Sequence, residues 1–395
     1  MAANGGGRPA ASGGALGIVL DDEGGAALSS PDMAVLRTLE QSGISWHLEL
    51  ASALDRYHRH PRGPIVYVAV EAELVELARS IDGLSFPGLE RWDAVARDED
   101  ATVFFRCVES GALRHGSPFE VFCISYDPRR DQYRDPHDAY EQLRARRIAP
   151  AADHDDATTA MDAAVLTARY SYHIDMPVWS ARWRPGGVPE AEQQRLLVDV
   201  LTGRHAEKGL DLLDDLGFVG SYWPVLAQMG TTDHTKDFHP EGDVWEHTLE
   251  ALSNRKSVDL TVSAALLLHD VGKPESPRTR ERAFDGHAEI GARTARRFLR
   301  ELGFDESFVE RVAWLVRHHM VPGIIHKLPA RRVEPVMASP LFPLLLEVYR
   351  CDLSATFTGP EPYYRACKTY RSFLKNRSNP FRDVDGKKLL KLYVE

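Results

Sequence analysis

The sequence predicts a mostly helical chain in which an α+β N-terminal domain is followed by an all-α remainder. Strand-like apolar runs alternate with helical spacing between residues 31 and 150, and beyond Thr158 apolar residues recur three and four apart. The length, 395 residues, is enough for two or three domains with separate cores. Apolar residues at 43% and charged residues at 27% exclude a fibrous or wholly disordered chain. The net charge of −10 means that any contact with nucleic acid needs a local basic patch. No run approaches the roughly 20 apolar residues that span a bilayer, so no membrane contact is expected.

Residues 1–30 are rich in Gly and Ala and read as a disordered tail, without the basic start and apolar stretch of a signal peptide. Residues 31–150 read as a small α/β domain. Within it, residues 63–70 form a buried strand, residues 71–81 a helix, and residues 101–108 and 119–126 further strands. A polar linker at 151–156 leads to a helical neck over 157–232 and a second helical domain over 236–358. The last segment, 359–395, is basic: nine Lys and Arg lie between Tyr363 and Glu395, interleaved with Tyr364, Tyr370, Phe373 and Phe381. Cys107, Cys123, Cys351 and Cys367 lie far apart with no Cys-x-x-Cys pair, which fits a reducing cytoplasm and no structural zinc.

Half of the sixteen histidines fall between His234 and His326. The centre of that cluster is Ala264-Ala-Leu-Leu-Leu-His269-Asp270-Val-Gly272-Lys273-Pro274. An apolar helix delivers an adjacent His-Asp pair at its C-terminal end, and Gly272 and Pro274 stop it. A carboxylate there is costly, because the site is apolar and the helix dipole repels anions. A bound cation removes that cost, with imidazole supplying nitrogen and the carboxylate an oxygen able to bridge two ions. His247, His287, His318, His319 and Asp352 are the other candidates, on neighbouring helices. His234, His239 and His326 read as surface residues.

The order His247, His269-Asp270, His287, His318-His319, Asp352 resembles the HD superfamily of metal-dependent phosphohydrolases. The resemblance implies a metal held by His247, His269, Asp270 and Asp352. In two-metal members it implies a second ion at His287, His318 and His319, bridged by Asp270, and it places Lys273 on the substrate phosphate as a catalytic group beside Asp270. One or two ions are expected, and four or five imidazoles favour Mn²⁺, Fe²⁺, Co²⁺, Ni²⁺ or Zn²⁺ over Mg²⁺. Arginines within 278–282 are expected to assist.

A second resemblance covers nearly the whole chain. His239-Pro-Glu-Gly-Asp-Val-Trp-Glu-His-Thr-Leu249, Gly286-His-Ala-Glu-Ile-Gly-Ala292, Asp135-Pro-His-Asp-Ala-Tyr-Glu-Gln-Leu-Arg-Ala-Arg-Arg147 and Asp385-Gly-Lys-Lys-Leu-Leu390 are similar to bacterial tRNA nucleotidyltransferases, the CCA-adding enzymes. This implies a nucleotidyltransferase-like head, a neck and an HD domain. The transfer chemistry of that family uses carboxylates that hold two ions, supplied after a strand ending in Gly-Gly by an Arg-Asp and an Asp-x-Asp. The strand here reads Tyr67-Val-Ala-Val-Glu-Ala-Glu73 and lacks all three. Gly116-Ser117-Pro118 stands where Arg-Arg-Asp is usual, and the neck motif Glu-Asp-x-x-Arg is reduced to Met161-Asp162-Ala-Ala-Val165. The head is therefore expected to keep the fold without the chemistry. The expected activity is metal-dependent hydrolysis of a phosphoester in a nucleotide, a cyclic phosphodiester or an RNA terminus. The alternatives are an RNA-binding protein without catalysis, acting through the basic C-terminal segment, and a divergent tRNA nucleotidyltransferase.

Overall fold

The computed structural model describes residues 33–98, 101–109, 117–151, 156–175, 187–232, 242–277 and 284–377. Residues 33–151 with 173–175 form one compact unit, and residues 156–172 with 187–377 another. The expected N-terminal tail, most of the linker, the arginines within 278–282, His234, His239 and the segment beyond residue 377 lie outside the described residues.

The first unit is α+β. Its elements run α1 (Ala34–Gln41), β1 (Trp46–Leu48), α2 (Leu50–Tyr57), β2 (Ile65–Val70), α3 (Leu74–Ser80), β3 (Ala94–Asp98), β4 (Ala101–Cys107), β5 (Ser125–Asp127), β6 (Gln132–Arg134) and α4 (Tyr140–Ala145). Six strands form one mixed sheet in the order β3-β4-β2-β1-β5-β6, with only the β2–β4 pair parallel. Alternation along β1 divides the faces. Trp46 and Leu48 join Val68, Val70, Val103 and Phe105 in a core closed by Leu36 and Leu39 of α1 and Leu77 of α3. His47 points to the opposite face, where Tyr67 stacks on Trp92 at 4.9 Å.

Two expectations for this unit need correction. The apolar run 119–126 is not one strand: Glu120–Cys123 is a 3-10 turn, and only Ser125–Asp127 pairs in the sheet. All its residues but Glu120 are buried, and a run with no polar alternation reads alike as strand or turn. The sheet's first strand is β1, three residues long and too short for periodicity to reveal. It ends in Leu48-Glu49-Leu50, and Leu50 opens α2 at φ +50°, a backbone conformation that glycine adopts without cost.

The second unit is helical: α5 (Asp156–Tyr170), α6 (Glu190–Leu201), α7 (Ala206–Asp215), α8 (Phe218–Tyr222), α9 (Pro224–Ala227), α10 (Val244–Ser253), α11 (Leu260–Leu268), α12 (His287–Glu301), α13 (Glu306–His318), α14 (Ala330–Met337), α15 (Phe342–Ser354) and α16 (Glu361–Arg377). Three of the site-bearing helices, α10, α11 and α13, start where the sequence provides an aspartate cap. Asp243, Asp259 and Asp305 accept backbone N–H groups of Glu246, Val262 and Phe308 at 2.8–2.9 Å. α11 is apolar on all sides because it is the central helix, and Val262 through Leu268 are all buried. α16 lies in the basic segment, where composition alone had not marked a helix; Ala366 and Phe373 bury its inner face.

Gly272 sets the approach of α12 to the end of α11. A Cβ there would fall 2.1 Å from the His287 carbonyl oxygen and 2.4 Å from the Gly291 nitrogen, both backbone atoms that cannot rotate away. Gly272→Ala should therefore push the first turn of α12 outward and destabilise the unit by roughly 1–3 kcal/mol or more. Urea or thermal unfolding beside the wild type checks this, and an unchanged midpoint would show that the close approach is not needed.

Candidate metal centre

α11 ends by presenting His269 and Asp270 into the helical unit, and both are buried. α10 contributes His247, the start of α12 His287, the end of α13 His319, and α15 Asp352. These six residues fall into two groups of potential ligand atoms, each lying within 4.8 Å of one another: His247, His269 and Asp352, and Asp270, His287 and His319.

The carboxylate of Asp270 faces both groups. Its Oδ2 is 3.2 Å from His269 Nε2 and 3.9 Å from His247 Nε2. Its Oδ1 is 3.5 Å from His287 Nε2 and 3.8 Å from His319 Nε2. Asp352 Oδ1 closes the first group, 3.1 Å from His247 Nε2 and 3.7 Å from His269 Nε2. Lys273 Nζ stands 2.5 Å from Asp270 Oδ2 and 5.4 Å from the centre of the Phe284 ring.

Main-chain carbonyls set the tautomers. The Nδ1 of His269, His287 and His319 lies 2.7–2.8 Å from the carbonyl oxygens of Leu266, Phe284 and Val316. A carbonyl only accepts, so each Nδ1–H donates and each Nε2 is left with a bare lone pair aimed inward. His287 Nε2 and His319 Nε2 are 3.2 Å apart, and two lone pairs at that separation repel. His269 Nε2 is buried without a hydrogen-bond partner among the described residues. A cation in each group turns these costs into bonds, so the donor set fits one or two divalent ions.

The charges agree. Burial alone would lower the His269 pKa, but the Asp270 and Asp352 carboxylates outweigh it and raise it to about 9. Burial lowers His319 to about 4 against the pull of Asp270. Burial would also raise both carboxylates, yet the surrounding imidazoles, with Lys273 beside Asp270, hold Asp270 and Asp352 below the usual carboxylate range. The first group therefore favours a positive charge, as a proton on His269 or as a metal ion that displaces it.

His318, expected as a ligand beside His319, lies outside both groups. Its Nδ1 is 2.8 Å from the Trp314 carbonyl and its ring packs on the Trp314 indole at 4.5 Å. Adjacent residues on a helix point about 100° apart, and with His319 facing the centre the His318 ring is turned onto Trp314. His326 is also outside. Sequence reasoning missed the three carbonyl anchors and the Phe284 ring under Lys273, since main-chain atoms carry no residue signature.

Asp270→Ala should give a folded protein that loses most bound metal from both groups, and His318→Ala should leave metal content unchanged. Elemental analysis of the two variants beside the wild type checks both.

The HD domain family matches residues 244–351, ending one residue before Asp352. The chain is 32% identical over 256 residues to the CC-adding tRNA nucleotidyltransferase of Thermus thermophilus, covering 60% of this chain and 58% of that protein. It is 37% identical over 170 residues to the A-adding tRNA nucleotidyltransferase of Deinococcus radiodurans, covering 41% and 38%. The chain thus spans less than two thirds of either relative. The Bacillus stearothermophilus CCA-adding enzyme in complex with CTP superposes with a TM-score of 0.49 at 15% identity, over 86% of this chain and 81% of that one. Residues 244–351 match the HD domain family, on a chain similar over part of its length to tRNA nucleotidyltransferases.

Proposed function

We propose that the HD domain hydrolyses phosphoesters with divalent metal ions held by His247, His269 and Asp352 and by His287 and His319, with Asp270 shared between them. The observation that carries this reading is the Asp270 carboxylate, one oxygen towards each group of inward-facing Nε2 atoms. Bound there, such ions lower the pKa of water and neutralise phosphate charge. The chain's own residues do the rest. The main-chain carbonyls hold Nδ1 of three imidazoles and so fix Nε2 as the nitrogen turned to the ligand position. Lys273, held by Asp270 and the Phe284 ring, is placed to meet a non-bridging phosphate oxygen. A nucleotide, a cyclic phosphodiester or an RNA terminus is the substrate class we favour. The exposed basic residues Arg365, Lys368, Arg371 and Lys375 of α16 offer contacts to an RNA backbone.

The names of the relatives favour a second reading, a tRNA nucleotidyltransferase, and by similarity alone it is the better supported. Against it stands the head. Strands β1, β2 and β4 carry no carboxylate within them. Nearby acids are committed to basic groups: Glu49 to Arg106, Glu71 to His47 and Asp127 to Arg130. Among the described residues, both groups able to hold a metal lie in the helical unit.

Two measurements decide. Purified protein should hydrolyse bis-p-nitrophenyl phosphate with Mn²⁺, Co²⁺ or Ni²⁺, and Asp270→Ala should abolish this. His287→Ala should remove about one metal equivalent and cut turnover by about 10² or more. With tRNA lacking its 3′ end, neither CTP nor ATP should be incorporated; incorporation that survives Asp270→Ala would establish the transferase reading instead.

A further inference from the structure

A second polar site lies in the first unit, at residues that the HD domain reading does not use. The sheet face carrying His47 opens into a cavity of about 340 Å³ lined by His47, Glu71, Asp127, Arg129, Arg130 and Arg134. That volume lies at the lower end of the range for small-molecule sites. Its floor is built from side chains that unfolded chains keep in water: His47 and Asp127 are each only 1% exposed.

The hydrogen bonds show which groups are committed and which remain. His47 Nε2 is 3.1 Å from Glu71 Oε1, so the imidazole N–H donates there. Burial lowers the His47 pKa, and the ring stays neutral with a lone pair on Nδ1. That Nδ1 is buried and has no hydrogen-bond partner among the described residues; the nearest acid oxygen, Asp127 Oδ2, is 4.0 Å away. Asp127 is saturated, accepting from the backbone N–H of Arg129 and Arg130 and from the Arg130 guanidinium.

The arginines are not saturated. Arg134 stands between Glu71 and Asp127 at 3.7 and 3.9 Å, too far for a hydrogen bond to either. Arg129 is exposed at the rim and makes no ion pair with a described residue. Three guanidinium groups thus face two carboxylates across a neutral imidazole, with donors in surplus. The carboxylates and the imidazole do not form a cation site, because His47 presents a different nitrogen to each acid.

We propose that this cavity binds a small oxyanion, a phosphate or carboxylate group on a hydroxylated molecule, with Arg134 and Arg129 on the anion and a ligand hydroxyl donating to His47 Nδ1. The planar fork of arginine matches two oxygens of such a group at once. The buried imidazole acceptor then finds a donor, whereas a buried acceptor left unpaired is costly. The site is independent of the HD domain reading and stands or falls without it.

The test uses the full chain carrying Asp270→Ala, so that phosphate held by the HD domain does not contribute. Inorganic phosphate, ribose 5-phosphate and citrate are titrated by calorimetry. Binding of at least one with a Kd below about 1 mM is expected. Preference for ribose 5-phosphate over citrate assigns a phosphate ligand, and the reverse a carboxylate. Arg134→Ala should weaken binding at least about tenfold, and Arg134→Lys, which keeps the charge without the fork, should weaken it less. Arg129→Ala, at an exposed position with no ion pair to lose, should weaken binding in a protein whose unfolding midpoint is unchanged. No binding by any of the three probes would overturn the proposal, as would full affinity in both alanine variants.

Discussion

The helical unit is organised around one buried carboxylate, Asp270, whose negative charge needs positive charge around it. Asp270 sits at the end of an apolar helix, where the backbone dipole and the low polarity both oppose negative charge. Four imidazole nitrogens and one ammonium surround it within 4 Å. A fold tolerates such a group only if positive charge is delivered to it. The arrangement delivers it by converging four further helices, each ending or turning at a histidine or aspartate.

That convergence explains features that look unrelated in the sequence. Gly272 is small because the start of α12 must come within van der Waals contact of the α11 terminus to bring His287 towards Asp270. The carbonyls of Leu266, Phe284 and Val316 accept from Nδ1 because ligand nitrogens must point inward with a fixed tautomer. Phe284 lies where its ring face supports the Lys273 ammonium. The aspartate caps at Asp243, Asp259 and Asp305 set where the helices begin and so which residue reaches the centre.

The first unit makes a contrasting use of buried charge. Its acids pair with neighbouring bases in small, nearly closed sets, as Glu49 does with Arg106, and its aromatic face is filled by Tyr67, Trp92 and Phe104. Among the described residues, this unit holds no group of side chains arranged to bind a metal. The exception to that pairing is the His47 cavity, where donors outnumber acceptors and a buried nitrogen is left over. Among the described residues, the potential metal ligands thus gather in one unit, and the surplus of guanidinium donors in the other.

The sequence by itself determined the division into an α+β part and an all-α part, because hydrophobic periodicity changes from 2 to 3.6 residues and the change is local information. It also marked His247, His269, Asp270, His287, His319 and Asp352 as candidates, since a His-Asp pair ending an apolar helix makes little sense without a cation. It did not separate His318 from His319: which of two neighbours faces the centre depends on how α13 is rotated against α11 and α12, a matter of packing. The family resemblance implied an Asp270 shared between two groups, but the distances did not show in the sequence, because 3–4 Å separations among residues up to 105 positions apart arise only when the helices close. The short strand β1 and the His47 cavity were likewise invisible. Three residues carry no period, and a cavity wall drawn from β1, the end of β2 and the β5–β6 turn exists only once the sheet has formed.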